Sequence, residues 1–268
     1  MQPPRISASS YSNTAPLIWS FLYGSNHGKV ELVLDNAPAR SAEMLMQDRV
    51  DAALVPVIAS QFIEGVRVIP EVCIGAKERV RSVCLFTKAA DLNDVRSVSL
   101  DVSSKTSVVL TKLIFREFVG FEPEWRDSEA DIGAMLAESD AALLIGDPAL
   151  ALSEPPASTS GRDIRTFDLA ELWHSYTGLG FVFAMWMTRR ETCPIDFAAA
   201  RDEGLAHLEE IAANYQTEIP IGRENLIEYL SQNVSYSIDD SMKKGMELYF
   251  ELAKKNGLLS ENRPLVFV

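Results

Sequence analysis

Two stretches of this chain repeat the same succession of residue types, and this internal echo constrains the fold more than any other feature. Arg5–Leu22 and Ser97–Ile114 each read as a short strand, a polar turn and a helical apolar pattern. Asp51–Leu54 and Asp140–Leu143 both read DAAL and both lead into an apolar run. The two offsets, 92 and 89 positions, are nearly equal. The echo therefore predicts two lobes built from related βαβ units.

Strand-like and helix-like segments alternate along most of the chain, which is typical of an α/β protein with largely parallel sheets. The expected strands are Ile6–Ala8, Glu31–Leu34, Ala53–Pro56, Ser82–Thr87, Ser97–Leu100, Ala142–Ile145 and Gly180–Met187. The expected helices are Ala15–Tyr23, Ser41–Gln47, Ser107–Phe118 and Asp131–Ala137. A stretch rich in Pro and Ser, Ser153–Arg162, is expected to be a surface loop.

Two apolar segments, SVCLFTKA from Ser82 and GFVFAMWMTR from Gly180, have the pattern of paired strands that cross between the halves. Two such crossings predict a first lobe made of residues 1–85 and 189–268, with residues 86–188 inserted as a second lobe. A cleft between lobes, at the carboxyl ends of parallel strands, is a common place for a small ligand.

The chain turns helical from Phe197 onward, and we expect this tail to be a scaffold. Ser237–Asp240 predicts the capped, acidic start of the last helix, and Gly257 predicts its end. Apolar residues at steps of three and four form two stripes that are expected to be buried. These are Leu205, Leu208, Ile211, Ala212 and Tyr215 in the first stripe, and Met242, Met246, Tyr249, Phe250 and Ala253 in the second.

The overall charge limits the ligands that the protein can attract. Lys and Arg number 25 against 38 Asp and Glu, which gives a net charge of −13. Nucleic acids and anionic membranes are therefore not expected partners, because both need a basic face. An anionic ligand would be repelled by the global field, so any anion site must be built locally.

Other site classes lack their sequence signatures. The three cysteines, Cys73, Cys84 and Cys193, lack C-x-x-C spacing, and the three histidines lack ligand spacing, so no metal is expected. No P-loop or G-x-G-x-x-G occurs, and no cofactor is expected. The start, MQPPRISASS, lacks the apolar core of a signal peptide, and no apolar run reaches the ~20 residues of a membrane span. We therefore expect a cytoplasmic protein.

Two polar turns are the first candidates for a binding site. Ser9–Thr14 follows the first expected strand, and Asp101–Ser107 holds the equivalent place in the second half. A helix start with short hydroxyls suits a carboxylate or phosphate, although a simple N-cap explains part of each turn. Two facing anion sites, one per lobe, predict a substrate with two carboxylates.

Two further segments lie where strands are expected to meet the cleft. Ile145–Leu150 contains Gly146, which permits close approach of a ligand, and Asp147-Pro148, which fixes a turn. A turn without a ligand explains that segment equally well. Ser82 lies at a crossing strand, but no His or Asp lies at activating distance in sequence and no G-x-S-x-G is present. A role in hydrogen bonding or proton handling therefore fits Ser82 better than nucleophilic attack.

Six blocks in this order resemble the menaquinone-biosynthesis chorismate dehydratases of the futalosine route. They are SYSNTAPL (Ser10–Leu17), VDAALVP (Val50–Pro56), RSVCLF (Arg81–Phe86), SSKTSVVL (Ser103–Leu110), DAALLIGDPAL (Asp140–Leu150) and WHSYTGLGFVFAMW (Trp173–Trp186). The resemblance implies a two-lobed fold like that of type II periplasmic solute-binding proteins. It also implies loss of water from chorismate to give 3-[(1-carboxyvinyl)oxy]benzoate. One departure is visible, since Gly180 stands where the family usually has Pro.

The resemblance also implies roles for single residues. Asn13 and Ser82 match the family positions expected at the reacting ring, and the identity of the base stays open between protein groups and the substrate's own carboxylate. The remaining matched positions are expected to bind or enclose the substrate. They are Thr14, Ser104, Thr106 and Ser107 toward the carboxylates, Gly146 and Asp147 on the side of the second lobe, Pro56 at the floor, and Ser10 as a further substrate-binding residue.

Two other functions remain open at this point. One is a non-catalytic binding protein for a small anion, which the implied fold allows. The other is the sister enzyme of the same route that acts on a futalosine, for which a histidine in the cleft is expected. His27, His174 and His207 do not fall in the expected cleft segments. The oligomeric state is not determined by these patterns.

Overall fold

Two five-stranded sheets form the framework of the protein in a computed structural model that describes residues 3–153 and 164–268. The strands are β1 (Arg5–Ser9), β2 (Glu31–Asp35), β3 (Ala52–Pro56), β4 (Arg67–Ala76), β5 (Val83–Thr87), β6 (Ser97–Asp101), β7 (Glu124–Ser128), β8 (Ala141–Ile145), β9 (Arg165–Asp168) and β10 (Phe181–Thr188). All seven expected strands are confirmed to within one residue or two at each end. The loop expected at Ser153–Arg162 lies outside the described residues beyond Ser153.

The two sheets have the same topology. The first has the order β2-β1-β3-β10-β4, and the second has the order β7-β6-β8-β5-β9. In each, three parallel strands are followed by one antiparallel strand, which also pairs with the edge strand beyond it. The strands in corresponding places, β1 and β6 or β3 and β8, come from the repeated stretches of sequence. The internal echo is therefore a repeat of structure, and the α/β class with two lobes is confirmed.

Sheet membership differs from the expected lobe boundaries at both crossings. β5 belongs wholly to the second sheet, and β10 belongs to the first. The boundary expected after residue 85 therefore cuts through β5, and the one expected after residue 188 assigns β10 to the wrong sheet. Both strands are apolar up to a final threonine and almost entirely buried, so their composition does not indicate which sheet they join.

Ten α-helices cover the sheets in the described part of the chain. They are α1 (Ala15–Leu22), α2 (Pro38–Met46), α3 (Thr106–Leu113), α4 (Ile132–Glu138), α5 (Gly146–Ser153), α6 (Leu169–Thr177), α7 (Phe197–Leu205), α8 (Leu208–Tyr215), α9 (Arg223–Glu228) and α10 (Asp240–Lys255). Short 3₁₀ turns cover Ser12–Thr14, Val57–Gln61 and Leu92–Asp94, and π-helical turns cover Ile114–Val119 and Tyr229–Asn233.

The helical tail packs as expected at α10 and differs at α7 and α8. Asp239 caps α10 by accepting a hydrogen bond from the Met242 amide, and all five residues of the second stripe are buried. The first stripe was predicted as one continuous face, but the chain breaks between Leu205 and Leu208 into two helices. Leu205 and Leu208 are consequently only half-buried.

The residues around Gly180 accommodate a glycine where the family usually has a proline. The Gly180 amide donates a hydrogen bond to Ser241 Oγ at 3.0 Å, which a proline in this position could not do. A Cβ on Gly180 would lie 2.7 Å from Met242 Cγ and 3.0 Å from the Ala76 carbonyl oxygen. The glycine therefore allows α10 to pack closely at the entry to β10.

Candidate functional site

A cavity of about 60 Å³ lies between the two lobes at the carboxyl ends of the parallel strands. β1 supplies Ser9, β3 supplies Pro56 and β8 supplies Ile145, and the antiparallel crossing strands enter at Val83 and Phe183. The polar side chains that line it are those of Ser9, Tyr11, Asn13, Ser82, Ser104, Thr106 and Ser107. A larger groove of about 1130 Å³ lies beside β4 and α10 and contains none of the expected site residues.

The fold brings seven of the ten expected site residues to this cavity. They are Asn13, Pro56, Ser82, Ser104, Thr106, Ser107 and Gly146. Ser10, Thr14 and Asp147 lie close by but are not among the described residues that line it. The roles expected for these residues remain predictions, because geometry alone assigns none of them.

The first polar turn uses most of its groups within the protein. Ser9 Oγ and Thr14 Oγ1 are 2.8 Å apart, and the Ser10 carbonyl accepts a hydrogen bond from the Tyr215 hydroxyl at 2.9 Å. Thr14 is fully buried and gives α1 no side-chain cap. Asn13, only 8% exposed, is the member of the turn whose amide reaches the cavity. This arrangement explains why Ser10 and Thr14 do not line it.

Asp147 links the two lobes through the first turn. Its carboxylate accepts hydrogen bonds from the Ser12 amide at 3.0 Å and from the Ser12 hydroxyl at 2.5 Å. Burial raises the pKa of Asp147 to about 6, against the hydrogen bonds from Ser12, which lower it. Asp147 therefore closes the side of the cleft as a bridge between the lobes.

Tyr11 was missed by the sequence reasoning and also spans the cleft. A Cβ added to Gly146, which has φ of +65°, would lie 2.6 Å from the Tyr11 ring. The Tyr11 hydroxyl is hydrogen-bonded to the Ser103 side chain, and burial raises the pKa of Tyr11 to about 12. Its place inside the Ser9–Thr14 turn was the one signal that pointed to it. Gly146 is therefore required for two reasons: its backbone has a positive φ, and the Tyr11 ring leaves no space for a Cβ atom.

The second polar turn presents its hydroxyls at the start of α3. Ser104 Oγ accepts a hydrogen bond from the Ser107 amide at 3.2 Å, and Asp101 Oδ1 accepts two from Ser103. Thr106 and Ser107 form the first turn of the helix, where the helix dipole favours an anion. Lys105 is exposed, so its charge does not enter the cavity.

Ser82 is fully buried and has a hydrogen-bonding partner that the sequence reasoning did not single out. Tyr229, at the start of the second π-helical turn, donates a hydrogen bond to Ser82 Oγ at 2.7 Å. The Tyr229 side chain is also hydrogen-bonded to that of Asn13, and burial raises its pKa above the ordinary value. None of the sequence patterns described above marks Tyr229.

The cavity is lined by apolar side chains together with hydroxyls and one amide, and the described residues that line it carry no formal charge. Hydroxyls, one amide and a helix N-terminus can bind carboxylates by hydrogen bonding without a cation. None of the three histidines lines the cavity, and His207 instead stacks on Trp19 with 3.7 Å between ring centroids. Within residues 3–153 and 164–268, no group of three His, Cys, Asp or Glu side chains could hold a metal ion.

Among the described residues, no helix combines the length and the apolar character that are needed to cross a bilayer.

The chain is similar to known proteins over nearly its whole length. Residues 4–255 match the family model described as menaquinone biosynthesis. A protein of Thermus thermophilus named chorismate dehydratase is 30% identical, with 94% of this chain and 95% of that protein covered.

Solved structures with low identity share the fold. The crystal structure of the Archaeoglobus fulgidus protein AF1704 has a TM-score of 0.75 and 17% identity, with 96% of this chain and 98% of that one covered. The Candida albicans CA3427 gene product, described as having the generic periplasmic binding protein fold, has a TM-score of 0.69 and 11% identity. The match covers 98% of this chain and 92% of the Candida albicans protein.

The expected fold, with a ligand cleft between two lobes, is therefore confirmed. Together with the match over residues 4–255, it leads to one assignment: the chain belongs to the menaquinone-biosynthesis family and has the fold of periplasmic binding proteins.

Proposed function

We propose that this protein is a hydro-lyase that eliminates water from chorismate and releases 3-[(1-carboxyvinyl)oxy]benzoate. Family membership and the 30% identical chorismate dehydratase support this activity. The structural observation that carries the proposal is the pairing of Asn13 and Ser82 in one uncharged, hydroxyl-lined cavity between the lobes. Chorismate is a small dicarboxylate, and such a cavity suits it despite the net charge of −13.

The second polar turn is the proposed site for one carboxylate of the substrate. The Ser104, Thr106 and Ser107 hydroxyls and the N-terminus of α3 are the donors that this turn offers to an anion. Asn13, across the cavity, then faces the ring. In this proposal, the reacting carbons lie near Asn13 and Ser82.

The chemistry requires only positioning and modest proton transfer. The ring hydrogen beside the enol ether leaves as a proton, the electron pair forms the new ring double bond, and the neighbouring hydroxyl departs. The Ser82 hydroxyl donates a proton to the departing oxygen, which leaves as water, and Asn13 orients the departing group. A carboxylate of the substrate accepts the ring proton, because no His, Asp or Glu is among the described residues that line the cavity. The proton accepted by the substrate carboxylate then returns to the Ser82 oxygen, so the elimination releases only water, and formation of the aromatic ring supplies the driving force.

The cavity indicates that substrate enters by separation of the lobes. Its volume of about 60 Å³ is far below the ~300–1,000 Å³ of typical pockets for small organic ligands. Hinge opening between two lobes is a common solution to this problem. The Ser12–Asp147 hydrogen bonds and the contact of Tyr11 with Gly146 must break during that opening.

The direct test mixes the purified protein with chorismate, without added metal or cofactor, and follows the products by chromatography and mass spectrometry. The expected product is lighter by one water and has an aromatic absorption spectrum. Unchanged chorismate that raises the melting temperature would contradict the proposal in favour of a binding protein. Absence of both turnover and stabilisation would contradict it in favour of a futalosine-type substrate.

A further inference from the structure

Tyr229 lies directly behind the cavity without lining it. Its side chain is completely buried, and its hydroxyl donates to Ser82 Oγ at 2.7 Å. It begins the π-helical turn Tyr229–Asn233, which follows α9. Single π-helical turns inside α-helices are frequent at functional sites, because they reorient one side chain against the helix axis.

The direction of this hydrogen bond determines where the Ser82 hydrogen can point. A serine hydroxyl has one hydrogen and two acceptor lone pairs, and Tyr229 occupies one of the lone pairs. The Ser82 hydrogen is then free to point to another acceptor, and Ser82 faces the cavity. The phenol is also hydrogen-bonded to the Asn13 side chain, so one hydroxyl contacts both residues proposed to act on the ring.

The residue before Ser82 is fixed to the same helical segment. The Arg81 guanidinium donates hydrogen bonds to Asn233 Oδ1 at 3.1 Å and to Asn225 Oδ1 at 2.5 Å. It also lies 5.8 Å from the centroid of the Tyr229 ring. The backbone of Arg81 has φ of +66°, and its amide donates to Asp168. Both partners of the hydrogen bond between Tyr229 and Ser82 are therefore held in place.

We propose that Tyr229 is a positioning residue that orients the Ser82 hydroxyl, and with it Asn13, for the elimination. This inference rests on the proposed function, because it assigns Tyr229 a part in the same reaction. Tyr229 acts through Ser82 and Asn13, and it is not among the described residues that line the cavity. Its buried hydroxyl remains protonated and neutral, and it supplies a fixed donor.

The test removes only the phenolic oxygen. Y229F is expected to lower kcat with chorismate about 10- to 100-fold, with KM within about threefold of the wild-type value, because misplacement of a reacting group affects turnover more than binding. Y236F is the matched control, since Tyr236 is equally buried and its hydroxyl has no hydrogen-bonding partner among the described residues. Its kcat is expected to be unchanged.

The double variant S82A/Y229F separates positioning from stability. Because Tyr229 acts through Ser82 as well as through Asn13, Y229F is expected to lower kcat by a smaller factor in the S82A background than in the wild type. Equal losses in both backgrounds would overturn the inference, and so would a Y229F enzyme with wild-type kcat. Wild-type protein that leaves chorismate unchanged would instead refute the proposed function.

Crystal structures of the wild type and Y229F test the same inference without turnover. One Ser82 rotamer, hydrogen-bonded to Tyr229, is expected in the wild type, and more than one is expected in Y229F. A single unchanged Ser82 rotamer in Y229F would overturn the inference even if chorismate is not the substrate.

Discussion

The two polar turns have equivalent places in two sheets of identical topology, yet their groups serve different ends. In the Ser9–Thr14 turn, Ser9 bonds to Thr14 and Ser12 bonds to Asp147 of the other lobe. In the Asp101–Ser107 turn, Ser104 Oγ accepts a hydrogen bond from the Ser107 amide, and Ser104, Thr106 and Ser107 line the cavity. The first turn connects the lobes and contributes Ser9, Tyr11 and Asn13 to the cavity lining, and the second contributes the hydroxyls of Ser104, Thr106 and Ser107.

This difference shows that two copies of a repeated βα unit can have different roles in the same site. The turn between a strand and a helix always offers N–H groups and hydroxyls at the same edge of the sheet. What those groups do depends on the opposite lobe, because the Asp147 carboxylate engages the first turn, whereas the Ser107 hydroxyl of the second turn faces the cavity. We therefore expect substitutions in the first turn to change turnover or closure, and substitutions in the second to change binding.

The largest expected effects on the kinetic constants come from two substitutions, one in each turn. Asn13→Ala is expected to lower kcat with chorismate about 100- to 10,000-fold, the usual range for losing a group that handles or orients a proton, with affinity within about tenfold. Ser107→Ala is expected to raise KM about tenfold with kcat nearly unchanged, because one donor to a carboxylate is lost. Steady-state kinetics and calorimetric binding measure both.

Asn214→Ala, which truncates an exposed amide on α8, is the control and is expected to leave both constants unchanged. If Asn13→Ala raised KM and Ser107→Ala lowered kcat, the first turn would bind the substrate and the second would govern turnover, the reverse of the expected division.

A smaller effect is expected from filling the contact between the lobes. Gly146→Ala and Gly65→Ala both place a side chain on left-handed backbone, at φ of +65° and +67°, but only Gly146 has a neighbour within 4 Å, the Tyr11 ring. Both are expected to lose about 1–2 kcal/mol of unfolding free energy from the backbone. Gly146→Ala should lose about 1–3 kcal/mol more through overpacking, and kcat/KM should fall as well. Denaturant unfolding and kinetics measure these losses.

Equal losses of stability at the two glycines, with no change in kcat/KM, would show that Tyr11 moves aside freely. In that case the first turn does not hold the lobes together through Tyr11.

The smallest expected effect is a pH dependence at the Ser12–Asp147 bridge. Folding raises the pKa of Asp147 from about 3.8 to about 6, so the folded protein binds this proton more tightly than the unfolded chain does. Ionised Asp147 therefore lowers stability above pH 6, and this loss is relieved as the pH falls from 6 to about 4. Asp147→Asn should melt higher than the wild type near pH 7.5 and at the same temperature near pH 4. A constant difference across that range would contradict this assignment.

The sequence predicted the central parts of the fold and the positions near the cavity, and it failed where the signal lies in tertiary contacts. The edge strands β4, β7 and β9 were missed, because β7 and β9 are polar and half-exposed and β4 contains Pro70. Edge strands need no alternating apolar pattern, so periodicity does not reveal them.

The candidate site shows the same limit. Asn13 and Ser82 were found through the motifs that carry them, and both reach the cavity. Asp147 was expected to enclose the substrate on the side of the second lobe, but its hydrogen bonds with Ser12, a partner 135 positions away in sequence, were not foreseen. Tyr229 lies 147 positions from Ser82, and no local pattern marks a contact at that distance.

The exchange of β5 and β10 between halves of the chain determines the order in which the lobes can be completed during synthesis. The first four strands of the chain leave the ribosome first, but their sheet lacks β10, which pairs between β3 and β4. The second sheet is encoded without interruption from Val83 to Asp168. The inserted lobe therefore has all its strands before the lobe that begins the chain, and the cleft can form only when Phe181–Thr188 has been made.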